Sequence, residues 1–229
     1  MKLVVFSDIH GNSDALKELL IAEPPVEGCQ YIFCGDIVGY YYKPKECIDI
    51  LKKMVPLISV RGNHDQMYLD SFFDSDMTNS LIQKYGSSYK NKDMSIAEYL
   101  SNLPLQCMLT IEGKDIIVQH GAPDNLLEGR IYPDTRLGCL DTISADIVLF
   151  GHTHYRMHKI IHGQTHWINA GSLGQPRDGL GFSYCVIKTE PFSIEFKRIK
   201  VNIEDLKRQA KTYDFQNPYL WEVFERERK

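Results

Sequence analysis

Apolar residues come in short, separated runs along this chain, and most of the runs end on glycine, aspartate or histidine. Leu3-Val4-Val5-Phe6, Tyr31-Ile32-Phe33-Cys34 and Leu57-Ile58-Ser59-Val60 have the length and composition of buried strands. Between them the pattern changes to helical spacing. Leu16, Leu19 and Leu20 share one face of a segment that Asn12 or Ser13 can cap and that stops before Pro24-Pro25. Pro44 opens a second such segment, with Cys47, Ile48, Leu51 and Met54 on its apolar side. Strand–helix alternation of this kind predicts parallel strands joined by crossover helices.

Beyond Gln66 the texture differs. Residues 66–106 are polar, mixed and mostly helical, with Ile96, Tyr99, Leu100 and Leu103 as one stripe. The segment reads either as a cap beside a site or as part of an outer layer. Residues 107–112 and 116–119 flank Gly113-Lys114 as a hairpin. A helix is expected over residues 134–144, then a strand at Ile147-Val148-Leu149-Phe150. Residues 158–161 and 165–168 form another hairpin, around His162-Gly163-Gln164. Residues 184–188 and 193–200 form a late one around Glu190-Pro191. Residues 203–229 read as a helical tail, aromatic from Phe215 to Phe224. That tail either folds back on the core or makes a contact between two copies of the chain. With no repeat or linker in view, residues 1–229 read as one domain.

Composition narrows the classes. A chain of 229 residues, 43% hydrophobic and 24% charged, can bury a substantial core. A net charge of −4 speaks against a nucleic-acid partner. Six scattered cysteines with no C-x-x-C pair fit small apolar residues in a reducing cytoplasm. The first apolar run is too short for a signal peptide and Asp8 closes it. No run approaches the length that spans a membrane.

The chemistry sits where the runs end: Asp8-x-His10, Asp36, Asn63-His64, His120, and His152-x-His154. Polar groups at the ends of successive parallel strands converge on one edge of a sheet. Gly11, Gly35, Gly62, Gly121 and Gly151 adjoin them and allow close approach. His152 and His154, two apart on extended backbone, should point the same way and serve two neighbouring ions. Each residue alone has a plainer reading: Asp36 as a helix cap, His120 as a buried imidazole, Asn63 as a turn former. The pattern shared by five strand ends is what points to metal. Carboxylate, imidazole and amide oxygen together suit Mn, Fe, Zn, Co or Ni better than Mg.

In order, D-x-H, G-D, G-N-H-D, H-G and G-H-x-H resemble the calcineurin-like metallophosphoesterase superfamily, from Leu3 to about Asp178. The resemblance implies a four-layer α/β/β/α sandwich of two mixed sheets. It implies two divalent transition-metal ions, one held by Asp8, His10 and His154, the other by Asn63, His120 and His152, with Asp36 bridging. It further implies phosphoester hydrolysis, in which a metal-bridging hydroxide attacks phosphorus and His64 protonates the leaving group. A phosphomonoesterase and a non-catalytic interaction scaffold of the same fold are the alternatives.

Departures from the family's patterns bear on substrate. In the protein Ser/Thr phosphatases the G-D motif continues to a second Asp and an Arg; here it continues Ile37-Val38-Gly39-Tyr40-Tyr41. Neither the usual partner carboxylate of the catalytic histidine nor the phosphate-clamping arginine stands there. Asn169-Ala170-Gly171-Ser172-Leu173-Gly174-Gln175-Pro176-Arg177 is similar to a stretch of small bacterial and archaeal phosphodiesterases, which carry Cys where His64 stands. Asp8-Ile9-His10-Gly11-Asn12 resembles bis-nucleosyl tetraphosphate hydrolases. The expected partner is a small phosphoester or nucleotide. Arg177 either binds a second phosphate or base, or is a surface arginine. Tyr40 either stacks a nucleobase or packs under its loop.

Overall fold

The computed structural model describes residues 1–136, 143–161 and 163–226. Strands β1 (Lys2–Phe6), β2 (Cys29–Phe33) and β3 (Leu57–Ser59) alternate with helices α1 (Ser13–Ala22) and α2 (Pro44–Leu51). The three strands pair in parallel, as the alternation predicts. Asn12 caps α1, its side chain accepting from the Ala15 N–H, and the helix buries Leu16 and Leu19.

The helical block comprises α3 (Asn63–Asp70), α4 (Ser75–Tyr85) and α5 (Met94–Ser101). It begins at Asn63, before the expected change at Gln66, so Asn63 and His64 lie in the first turn of a helix. Asp65 is the cause. Its carboxylate accepts from Gly62 N at 3.1 Å and closes the helix start. Ile96 and Leu100 of α5 share a cluster with Cys47, Ile48 and Leu51 of α2, so α5 packs into the outer layer.

Next come β4 (Gln106–Ile111), β5 (Lys114–Gln119), β6 (Ile147–Phe150), β7 (Arg156–Ile161) and β8 (Thr165–Ala170). The first hairpin turns on Glu112-Gly113, one residue earlier than expected, with Ile111 paired to Lys114. Both turn residues have positive φ, at 47° and 75°, which a two-residue turn of matching twist requires. Of the helix expected over 134–144, residues 137–142 lie outside the described residues, and 134–136 form a turn and coil. The chain closes with β9 (Ser183–Thr189), β10 (Phe192–Arg198), α6 (Glu204–Tyr213) and α7 (Tyr219–Glu222).

Two mixed five-stranded sheets result, ordered β10-β9-β1-β2-β3 and β4-β5-β6-β8-β7. They pack face to face. Leu3, Val5 and Ile32 of one meet Val118, Leu149 and Ile168 of the other. The intervening residues Val4, Phe6, Tyr31 and Phe33 face the helices instead. Burial on both faces explains why the runs are continuous rather than alternating. Each such side chain contributes about 1.5–3 kcal/mol by leaving water. On the far side of the second sheet, Ala122 and Ile131 cover Val148, Phe150 and Trp167.

Polar ties join the pieces. Glu23, buried at the end of α1, pairs with Lys2 and accepts from Lys197 Nζ at 2.9 Å and Tyr184 OH at 3.0 Å. Burial works against its charge, but these partners hold its carboxyl below the usual range. The tail folds back on its own chain: Leu220 joins Tyr40, Tyr41, Leu206 and Ala210 in a small core. Asp214 accepts from Tyr42 OH at 2.7 Å and from Ser87 N and Oγ at 2.7 and 2.9 Å. No helix among the described residues is long and apolar enough to cross a membrane.

Candidate metal centre

The C-terminal ends of β1, β2, β3, β5 and β6 carry all the residues singled out at the ends of the apolar runs. Two donor groups form there, and within each the ligand atoms lie within 4.8 Å of one another. In the first, Asp8 Oδ1 is 3.2 Å from His154 Nε2, which is 3.1 Å from His10 Nε2. In the second, His120 Nε2 is 3.2 Å from Asp36 Oδ2 and 3.0 Å from Asn63 Oδ1. His152 Nδ1 lies 3.0 Å from the same Asn63 oxygen. Asp36 Oδ2 is also 3.7 Å from His10 Nε2 and so stands between the groups. The structure thus brings together Asp8, His10, Asp36, Asn63, His120, His152 and His154.

Local backbone explains the convergence. His152 and His154 do not sit on extended strand, as their spacing suggested. Both have left-handed φ, 68° and 62°, and they turn into different groups. Close packing does the rest. A Cβ at Gly62 would come 2.1 Å from Asp36 Oδ1 and 2.5 Å from Asp36 N. The Asp36 loop is hung on Asp65, whose carboxylate accepts from Asp36 N, Ile37 N and Val38 N at 3.0, 2.8 and 3.1 Å.

The donor chemistry fits divalent ions. Both oxygens of Asp8 and Oδ2 of Asp36 are buried without a hydrogen-bond donor, a costly state unless a cation meets them. The imidazoles are aimed from behind. Nδ1 of His10, His120 and His154 faces the carbonyls of Val38, Cys34 and Gln175 at 2.8, 2.7 and 2.6 Å. Nδ1–H therefore donates outward and leaves the Nε2 lone pair for the centre. Burial drives His10, His152 and His154 toward the neutral form, His152 to about 3. For His120 burial acts the same way, but the Asp36 charge outweighs it and raises the imidazole to about 9. Asp8 is held down to about 2: burial opposes this, and His154 prevails.

A cavity of about 90 Å³ opens beside the donors and is lined by Asp36, Asn63, His64, His152 and His154. Arg130, Arg177, Tyr40, Tyr85 and Tyr132 complete its wall. Arg177 is therefore no surface residue. Its Nη2 donates to Tyr40 OH and Gln175 Oε1, both at 2.9 Å. Tyr40 is buried with its ring centre 4.8 Å from that of His64. Arg130 Nε donates to His152 Nε2 at 3.2 Å. Arg130, Tyr85, Tyr89 and Tyr132 escaped the sequence reading; they come from irregular or helical stretches that carry no motif. Two larger grooves, about 800 Å³ each, lie near Lys90 and Tyr213 and hold none of the donors, so size does not locate the chemistry here. On an exposed hairpin, His158 Nε2 and His166 Nδ1 meet at 3.0 Å; His162 lies outside the described residues.

Residues 1–191 match the profile of the calcineurin-like phosphoesterase superfamily domain. The chain belongs to this superfamily. A relative in Methanocaldococcus jannaschii, the uncharacterized protein MJ0912, is 31% identical, with 88% of each chain covered. The crystal structure of a metallophosphoesterase from Sphaerobacter thermophilus superimposes with a TM-score of 0.79 at 25% identity, covering 97% of this chain and 98% of that one. A hypothetical protein from Pyrococcus horikoshii OT3, PH1004, gives 0.80 at 21% identity, covering 98% and 96%, and shares the fold. The superfamily match stops at residue 191, whereas these two superpositions take in nearly the whole chain. The helical block and C-terminal tail thus fall within the extent of the matched folds.

Proposed function

We propose that the chain is a phosphoester hydrolase working with two divalent transition-metal ions, Mn, Fe, Zn, Co or Ni, on a phosphodiester or nucleotide-type substrate. One observation carries this reading. Two buried donor groups lie side by side with Asp36 Oδ2 between them, and that oxygen and both oxygens of Asp8 have no hydrogen-bond donor. Asp8, His10 and His154 would hold one ion, and Asn63, His120 and His152 the other, with Asp36 between. When bound, such ions supply an activated water and neutralise charge on the phosphoryl oxygens. The chain's own residues supply the rest. Arg130 and Arg177 present guanidinium groups suited to phosphate oxygens. Tyr40, Tyr85 and Tyr132 offer ring faces to a base or other flat leaving group. His64, with Nδ1 occupied, keeps Nε2 for the cavity and gives its proton to the leaving oxygen as the P–O bond breaks. The five described cysteines are free, which suits a cytoplasmic setting, and we read residues 1–229 as one domain.

A phosphomonoesterase has one observation in its favour: a cavity of about 90 Å³ with two guanidinium groups is scaled to a terminal phosphate. An interaction scaffold would have no use for a buried His64 and a partly buried Arg177 facing that cavity.

A panel of phosphomonoesters, phosphodiesters, dinucleoside polyphosphates and cyclic nucleotides, each with added Mn, Ni, Co, Zn or Mg, tests the reading. Diesters should turn over and monoesters lag. His64→Ala should keep both ions and lose about 10²- to 10⁴-fold on esters with basic leaving groups, and least on nitrophenyl esters. Undiminished mutant activity on a poor leaving group would overturn the acid assignment. Two ions bound with no turnover of any ester would return the scaffold.

A further inference from the structure

The histidine cast as general acid meets a tyrosine. Tyr89 OH lies 2.7 Å from His64 Nδ1, and both side chains are buried. The hydroxyl's other contact is the carbonyl of the same His64, at 3.4 Å. Among the described residues, the hydroxyl thus hydrogen-bonds His64 alone. Gly39, with φ +88°, leaves the room: a Cβ there would stand 2.5 Å from His64 Nδ1 and 3.1 Å from Tyr89 OH. His10, Tyr40 and Tyr85 wall the imidazole, their ring centres 4.9, 4.8 and 4.6 Å away. Those walls fix the plane of the ring. Among the described residues, Tyr89 alone hydrogen-bonds a ring nitrogen of His64 and so distinguishes the two.

We propose that Tyr89 is the positioning residue of the His64 imidazole, holding Nδ1 so that Nε2 faces the phosphoester. The proposal rests on the hydrolase reading and extends it. A hydroxyl suits the task because it both donates and accepts. When Nδ1 is bare, Tyr89 donates to it. When Nδ1 carries hydrogen, the Tyr89 oxygen accepts and its own hydrogen turns to the His64 carbonyl. In the transfer, the Nε2–H bond breaks, its electron pair stays on Nε2, and the proton bonds to the departing oxygen. The Nδ1–H bond is untouched and stays on Tyr89. The ring therefore keeps one orientation before and after the proton leaves. The segment bearing Tyr89 is itself pinned, since Asp214 receives both Ser87 N and Ser87 Oγ.

Tyr89→Phe removes one oxygen and keeps the ring. At equal metal content and melting temperature, kcat on an alkyl phosphodiester should fall about tenfold or more, and KM should hold within about threefold. A nitrophenyl diester, whose leaving group needs no proton, should change less than about threefold. His64→Ala/Tyr89→Phe should be no slower than His64→Ala alone. In the zinc-loaded, ¹⁵N-histidine-labelled protein, Tyr89→Phe should shift the His64 Nδ1 resonance and leave the other imidazoles in place. Gly39→Ala, which presses a methyl on Nδ1 with the phenol retained, should give the same leaving-group pattern. An equal loss on both esters, an additive loss in the double mutant, or an unmoved Nδ1 resonance would each overturn the Tyr89 assignment while the hydrolase stands. A wild-type protein inert toward every ester, its Nδ1 resonance still answering to Tyr89→Phe, would sink the hydrolase and the catalytic sense of the pairing together.

Discussion

Asp8, His10, Asp36, His152 and His154 all adopt left-handed backbone, with φ between 50° and 68°. Each such residue costs of order 1–3 kcal/mol and persists only where its surroundings over-determine it. Here they do: His10 N donates to Asp36 O, and Asp8 N to Gly35 O, so one strand end props the next. The sharp turn sends a side chain back over the sheet edge instead of onward into solvent. That is why residue types at run ends were legible as donors while the route of His152 and His154 was not. Spacing reveals which residues are near, and dihedrals decide where they aim. Of the glycines, Gly62 stands tightest against a donor residue, a Cβ there falling 2.1 Å from Asp36 Oδ1. Gly62→Ala should cut uptake of the second ion, read by metal analysis after desalting, because the new methyl falls on both the side chain and backbone of Asp36. Unchanged content of two ions would show that the loop gives way freely.

Among the elements, the crossover half was readable because each strand is buried on both faces and each helix has a stripe and a stop signal. The helical block was harder. Its start depends on Asp65 folding back to Gly62, and Tyr85 and Tyr89 reach the site only through packing of α4 and the turn after it. The tail was undecidable in sequence for the same reason: Leu220 is buried because Tyr40 and Tyr41, distant in the chain, fold around it with Leu206 and Ala210. The Glu23 tie makes a prediction about pH. Its folded carboxyl is depressed, so the bond stabilises above the ordinary carboxylate value and is lost as pH falls through the folded one. Glu23→Gln should therefore cost about 2 kcal/mol at neutral pH. The gap from wild type should close in urea titrations as pH falls below the ordinary carboxylate range. A gap that persists in acid would mean shape, not charge, is what Glu23 supplies.

On the scale of the molecule, the donors come from both sheets. Asp8, His10, Asp36 and Asn63 follow strands of the first, and His120, His152 and His154 follow strands of the second. Bound ions would therefore cross-link the sandwich at one edge. With free metal near a hundredfold over Kd, loading should add about 2.7 kcal/mol per ion. Chelation should lower the melting temperature by roughly 5–10 °C per ion, with all turnover lost. A melting point indifferent to chelator would deny the ions any part in holding the sheets. The stretch from Gly62 to Asp65 shows what such economy entails. In four consecutive positions it houses a tight contact, a proposed ligand, the proposed acid and the anchor of the Asp36 loop. None of these can be tuned without disturbing its neighbours. Evolution or engineering seeking a new substrate would have to leave that tetrapeptide alone and work instead at Tyr85, Arg130, Tyr132 and Arg177, whose backbones answer to other parts of the chain.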